Sequence, residues 1–117
     1  MPGAIEDCGL QDLWLWLVGR RRRFRVVGAS MEPVLKPGDV VFVDTGAYRR
    51  EGPRAGELVV ARHPYRTDAY LIKRVASVAD PGQCLLAGDN PAESTDSRSF
   101  GAVSADGILG RVTSRLA

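Results

Sequence analysis

Histidine occurs once in this sequence, as His63, and cysteine twice, as Cys8 and Cys84. The cysteines lie far apart without Cys-x-x-Cys spacing. A zinc site would need both of them, the one histidine and a carboxylate at unfavourable separations, so no metal or other cofactor is expected. The pair can form one bridge or remain two free thiols. Long apolar runs are also missing. The longest, residues 13–18 (LWLWLV), falls far short of the ~20 residues that cross a bilayer as a helix. Its positive charge, residues 20–23 with Arg25 beyond, follows the apolar core, whereas a secretory signal carries that charge in front. The sequence therefore predicts a cytoplasmic chain with at most peripheral contact at the inner face of a membrane. Excess charge of one sign is scarce too. A net charge of +2 gives no general argument for nucleic acid.

What is present suits one globular domain of 117 residues, 44% apolar and 26% charged, without repeats or low-complexity tracts. Residues 10–19 are expected to form a short helix with Leu10, Leu13, Trp14 and Leu17 on one face. The arginines would extend its C-terminal end, where the helix dipole favours cations. From Phe24 onward, Val-, Leu- and Ile-rich runs at 24–27, 39–44, 57–62, 69–78, 83–87 and 108–113 alternate with turns. Those turns include Lys36-Pro37-Gly38-Asp39, Asp80-Pro81-Gly82 and Gly88-Asp89-Asn90-Pro91. The pattern predicts a mainly β, antiparallel domain over residues 24–117, with residues 1–23 as a helical, basic appendage.

Three segments carry candidate chemistry. In Gly28-Ala29-Ser30-Met31-Glu32-Pro33, Ser30 leaves a strand on a turn bounded by glycine and proline. Its hydroxyl is a weak nucleophile unless a neighbour takes its proton, and the plain alternative is a turn serine. In Tyr70-Leu71-Ile72-Lys73-Arg74-Val75, strand alternation puts Lys73 on one face with Leu71 and Val75. Burial there would disfavour the ammonium and make the amine a usable base; the alternative is an edge lysine whose head reaches water. The third segment, residues 88–101, crowds hydroxyl, carboxylate and guanidinium groups into one loop. Asp96 and Arg98 are close enough to pair, and Ser94 could orient a lysine amine; otherwise the segment is a solvated loop.

In order and spacing the three segments resemble the bacterial type I signal peptidases, S26-type serine proteases, over roughly residues 24–113. Ser30 to Pro33 is similar to their nucleophile box, Lys73-Arg74-Val75 to their base-bearing strand, and residues 88–101 to their Gly-Asp-Asn … Ser-x-Asp-Ser-Arg box. The resemblance implies the antiparallel β fold that signal peptidases share with self-cleaving repressors. It also implies a Ser30/Lys73 dyad, Ser94 as the hydroxyl orienting the lysine, and Asp96 with Arg98 as a structural pair. Gly28 stands where some members lend a serine hydroxyl to the oxyanion, leaving that task to the Ser30 backbone N–H and the Gly28 region. On this resemblance the membrane-embedded N-terminus and the second β-domain of larger members are expected to be missing.

The short chain, Val60-Ala61-Arg62-His63-Pro64 before the lysine strand, and Gly88-Asp89-Asn90-Pro91 running into Ser94-Thr95-Asp96-Ser97-Arg98 resemble in particular the maturation proteases of nickel-type superoxide dismutase. The implied partner is a precursor protein whose leader is removed, with the nickel belonging to that substrate. The leader is expected to bind as an added strand, with Val27 and residues 58–60 as pocket walls.

Rival readings are weaker on residue grounds. A Ser-His-Asp site would enlist His63 with Asp68 or Asp96, yet His63 precedes a proline at a strand end. A self-cleaving repressor needs a DNA-binding unit that 29 residues before Ser30 cannot hold. Processing of another secreted or membrane-delivered precursor remains the enzymatic alternative. The non-enzymatic one is a basic and aromatic module, with Trp14, Trp16 and residues 20–25 meeting a membrane or nucleic acid.

Overall fold

Branched side chains favour extended backbone, where they pack on a pleated surface, and glycine and proline interrupt it. The computed structural model, which describes residues 5, 7, 9–27, 30–63, 69–79, 82–90 and 102–116, follows that rule. Helix α1 (Leu10–Leu17) leads into β1 (Arg22–Arg25), β2 (Val40–Asp44), β3 (Leu58–Arg62) and β4 (Tyr70–Ala79). Strands β5 (Gln83–Ala87), β6 (Val103–Ser104) and β7 (Ile108–Leu116) complete one sheet in the order β1-β2-β7-β3-β4-β5-β6. Every pairing between these strands is antiparallel. The mainly β class with a short N-terminal helix is as expected from the sequence.

The sheet curls into a half-barrel, and its register shifts give the reason. Thr113 is skipped between the pairs Phe42↔Ser114 and Val43↔Val112, and Leu109 between Val60↔Gly110 and Ala61↔Ile108. On β4, Ala76 is skipped between Val75↔Leu86 and Ser77↔Leu85. One extra residue on one strand bends it and increases its twist. At the tightest approach β7 carries Gly110, where a Cβ would lie 2.5 Å from the Asp44 carbonyl oxygen, so only glycine fits without movement.

Apolar side chains fill both faces. Leu58 and Val60 of β3 pack with Met31, Leu35, Val41 and Val43, whereas Val59 and Ala61 pack with Val75, Cys84, Leu86 and Ile108. Covered on both sides, β3 reads as an unbroken apolar run instead of an alternation. Cys84 is a free, fully buried thiol whose pKa burial pushes up. Cys8 lies outside the described residues.

The N-terminal third departs from the sequence reading. Arg22 and Arg23 do not extend the helix; they pair with Val43 and Phe42 as the start of β1, which ends at Arg25 where residues 24–27 were expected. The helix stops because Gly19 takes φ +81°, and the N–H groups of Gly19 and Arg20 close back on the carbonyls of Trp16 and Leu15. This glycine-terminated closure satisfies the last helical carbonyls and turns the chain. Leu13 is half-buried and leaves the outward face of Leu10, Trp14 and Leu17. Asp12 docks the helix on β7, accepting hydrogen bonds from Thr113 Oγ1 at 2.8 Å and Ser114 Oγ at 2.5 Å, with Arg21 Nε at 3.1 Å. The bulge at Thr113 lets two successive hydroxyls reach one carboxylate. Strand β6 was not foreseen, because two residues carry no period.

Candidate active site

Ser30 is held by anchors on both sides. Upstream, the Val26 N–H donates to the Asp39 carbonyl at 2.7 Å and the Val26 carbonyl accepts from Gly38 at 2.9 Å. Gly38 makes that return possible with φ +90°. Downstream, Met31 and Leu35 are sunk in the core and linked by a Leu35 N–H to Met31 carbonyl bond of 2.9 Å. Between them Ser30 stays half-exposed. Gly28, expected beside the oxyanion, lies outside the described residues.

Lys73 sits opposite Val59 of β3 and is only 4% exposed. It shares its buried face with Val75, as alternation predicts. Ser30 and Lys73 line one cleft of about 140 Å³, together with Phe24, Arg25, Val26, Val27, Met31, Tyr70, Leu71 and Ile72. The Phe24 and Tyr70 rings meet edge to face at 5.6 Å. Arg22 lies 5.0 Å over the first ring and Arg62 5.8 Å over the second. Val27 lines the cleft as expected, but residues 58–60 do not. They are interior, with Leu58 2% exposed and Val59 and Val60 fully buried, and Leu71 and Ile72 stand at the cleft instead.

Ser94, Asp96 and Arg98 lie outside the described residues. The start of their segment is described, and it touches the nucleophile turn: the Asn90 N–H donates to the Ser30 carbonyl at 2.8 Å. One residue earlier, Asp89 takes two parallel bonds from Arg74, 2.8 Å from Nε and 2.7 Å from Nη2. Arg74 Nη1 also donates to the Gly56 carbonyl at 2.8 Å. Lys73 is thus tied to Ser30 through its covalent neighbour Arg74, the ion pair to Asp89, and the Asn90 bond. Sequence reading missed the Arg74–Asp89 pair and treated Asp89 as turn chemistry. A usable signal was there in the cation usage: fourteen arginines against two lysines, Lys36 and Lys73. Arginine cannot give up its proton in a protein, so a lysine on a buried face of such a chain stands out.

His63 is half-buried at the end of β3, where its N–H donates to the Ala69 carbonyl at 2.9 Å, and it does not line the cleft. Among the described residues no cluster of His, Cys, Asp and Glu could hold a metal ion. No helix among them is long and apolar enough to cross a membrane.

The signal peptidase family, peptidase S26, matches the chain over residues 15–83 and 76–117. Mitochondrial inner membrane protease subunit 1 of Homo sapiens is 30% identical, the match covering 73% of this chain and 63% of that protein. Its counterpart in Xenopus tropicalis is also 30% identical, with 76% and 65% covered. Signal peptidase I of Aquifex aeolicus is 35% identical over 44% of this chain and 20% of its own length. The chain therefore spans 63% and 65% of the length of these two mitochondrial relatives. Because the family match runs through every strand from β1 to β7, this chain belongs to the signal peptidase family, peptidase S26.

Proposed function

We propose that the chain is a serine endopeptidase that removes an N-terminal leader from a precursor protein, with Ser30 as nucleophile and Lys73 as general base. The observation that carries this reading is the near-complete burial of Lys73 in the cleft that Ser30 also lines. Desolvation penalises an ammonium there, and a neutral amine is the form that accepts a proton.

In the proposed reaction, Ser30 Oγ attacks the scissile carbonyl carbon while its proton passes to Lys73 Nζ. The backbone N–H of Ser30, with the Gly28 region, holds the oxyanion. Collapse of the tetrahedral intermediate breaks the C–N bond, and Lys73 returns the proton to the leaving amine. An acyl ester on Ser30 remains. Lys73 then takes a proton from water, whose oxygen attacks the ester, and passes it to Ser30 Oγ as the C–O bond breaks and the second product leaves. Ser94 would orient the amine, and Asp96 with Arg98 would hold the loop that brings it. In this reading the catalytic unit is the domain expected over residues 24–117, which β1 carries back to Arg22, and the chain ahead of that strand is its appendage.

The leader of a nickel superoxide dismutase precursor is the specific substrate, on the strength of the subgroup resemblance carried by Val60-Ala61-Arg62-His63-Pro64 and by Gly88-Asp89-Asn90-Pro91 running into Ser94-Thr95-Asp96-Ser97-Arg98. A membrane-delivered precursor is the second reading, favoured by the relatives named as an inner membrane protease subunit and a signal peptidase. Incubating each precursor with the protein and weighing the products decides between them. The expected result is one cut at a fixed bond, abolished by Ser30→Ala and by Lys73→Met in folded protein, with a rate that rises with pH as the amine loses its proton. Retained cleavage in either variant overturns the dyad. An unchanged dismutase precursor beside a cleaved membrane-delivered one removes the specific substrate alone.

A further inference from the structure

The cleft carries positive charge that the proposed reaction does not use. Arg25 lines it, and each of its two aromatic rings lies under a guanidinium, Phe24 under Arg22 at 5.0 Å and Tyr70 under Arg62 at 5.8 Å. The two rings touch edge to face, so the four side chains form one row, Arg22-Phe24-Tyr70-Arg62. Strand β1 does not pair with β4; the curl of the sheet brings the two together at this row. Arg22, Arg25 and Arg62 are all exposed. Among the described residues no carboxylate lines the cleft or pairs with any of the three, whereas Arg74, Arg111 and Arg115 of the same sheet each meet one.

A ring holds a guanidinium by its face and leaves the N–H edge open, and that planar edge matches a carboxylate through two parallel bonds. Cations of one sign beside a peptide cleft select a peptide of the opposite sign and repel one of their own. The strands say where the acid falls. Tyr70 comes three residues before Lys73 on β4, about 10 Å away at ~3.3 Å per residue, and Arg62 stands opposite Tyr70 in the register. Arg22 opens β1 at the end remote from Ser30. An extended peptide advances by the same rise, so the row meets a side chain about three residues from the bond that Ser30 attacks, not one at the bond itself.

We infer that Arg22 and Arg62, with Arg25 beside them, form a subsite for an aspartate or glutamate side chain of the precursor, about three residues from the cut. The inference rests on the proteolytic reading of the cleft and narrows its substrates to precursors with an acid at that distance. Phe24 and Tyr70 hold the two outer guanidiniums in place and shield one face of each from water, which strengthens their attraction for a carboxylate.

The test uses short fluorescent peptides spanning the leader junction of each precursor, in matched pairs with aspartate or asparagine at one position, which is moved from the fourth residue before the bond to the fourth after it. Cleavage by the wild type gives kcat/KM, and anisotropy with the Ser30→Ala protein gives affinity without turnover. The expected result is a position about three residues from the bond where aspartate exceeds asparagine by about tenfold or more in both measurements, an advantage that shrinks as salt rises. In folded Arg22→Gln/Arg62→Gln protein the two peptides should come within about twofold of each other, and Arg62→Glu should favour lysine at that position over aspartate. Cleavage without an aspartate preference, a preference only at the residues flanking the bond, or one that survives the double arginine variant overturns the inference and leaves the protease standing. An aspartate preference in binding without cleavage by the wild type supports the subsite and overturns the proteolytic reading instead. Neither binding nor cleavage of any peptide overturns both.

Discussion

Asp89 and Asp12 are both half-buried carboxylates with an arginine beside them, yet one braces the cleft and the other braces the helix. Asp89 meets Arg74 through two parallel bonds, and both side chains are 18% exposed. Planar pairing of this kind fixes an angle as well as a distance. It also lies on the path from Lys73 to Ser30. Asp12 instead collects three donors of different kinds, the hydroxyls of Thr113 and Ser114 and the guanidinium of Arg21. Such a set holds an element down without fixing the direction of any catalytic group. The contrast separates a contact that orients from one that docks, and each can be broken alone.

The largest expected effect is at the cleft. Asp89→Asn, or Arg74→Lys, which keeps the charge but loses the fork, should lower kcat on a cleavable precursor by about 10²-fold, because a misplacement near 1 Å is enough to do so. Stability should fall by only about 1.5–3 kcal/mol, as for a hydrogen bond to a charged group. Kinetics beside thermal unfolding reads both. Wild-type kcat in these variants would show that the pair does not position the proposed dyad.

Next comes the helix. Asp12→Asn should cost about 1–3 kcal/mol and leave kcat near wild type. Burial tends to raise the Asp12 pKa, but the hydroxyls of Ser114 and Thr113 and the charge of Arg21 outweigh it and hold the carboxyl below its ordinary 3.8. A depressed folded pKa stabilises above the unfolded value and is lost as pH falls through the folded one. The Tm gap between wild type and Asp12→Asn should therefore be full near neutrality and close below about pH 4. A gap that persists in acid would mean that the aspartate acts through shape and not charge.

The smallest effect calibrates the rest. Glu51 and Arg54 make an ion pair of 2.6 Å with both side chains 73% exposed. Glu51→Gln should change stability by no more than about 0.5 kcal/mol and kcat not at all. A larger loss would show that exposure is a poor guide to the value of a contact here.

Much of this was readable in the chain. Residues 83–87 were read as a strand and form β5 with those bounds, since a short apolar run between Asp80-Pro81-Gly82 and Gly88-Asp89 has few alternatives. Strands β2 and β3 each begin one residue after their expected starts. Period alone put Lys73 on one face with Val75, and the structure showed that face to be buried. What the sequence hid was non-local. Strand β7 lies between β2 and β3, so its pairing spans more than half the chain, and neither bulge on it has a local signature. Arg22 and Arg23 look like a helix end until Val43 and Phe42 are seen opposite them.

The candidate nucleophile and base rest on the resemblance to signal peptidases; local chemistry was enough to decide the mainly β class, the turns, the short helix and the face that Lys73 shares with Val75. These depend on backbone preference and on side-chain alternation, which act over a few residues. Tertiary structure alone decided that Ser30 and Lys73, 43 positions apart in sequence, border one cleft, that Asp89 rather than a nearer acid receives Arg74, and that α1 turns its apolar stripe to solvent. The reason is physical. Each of those outcomes depends on which distant strand wins a place in the sheet, and that is settled by summed burial and pairing over the whole chain, which no short window contains.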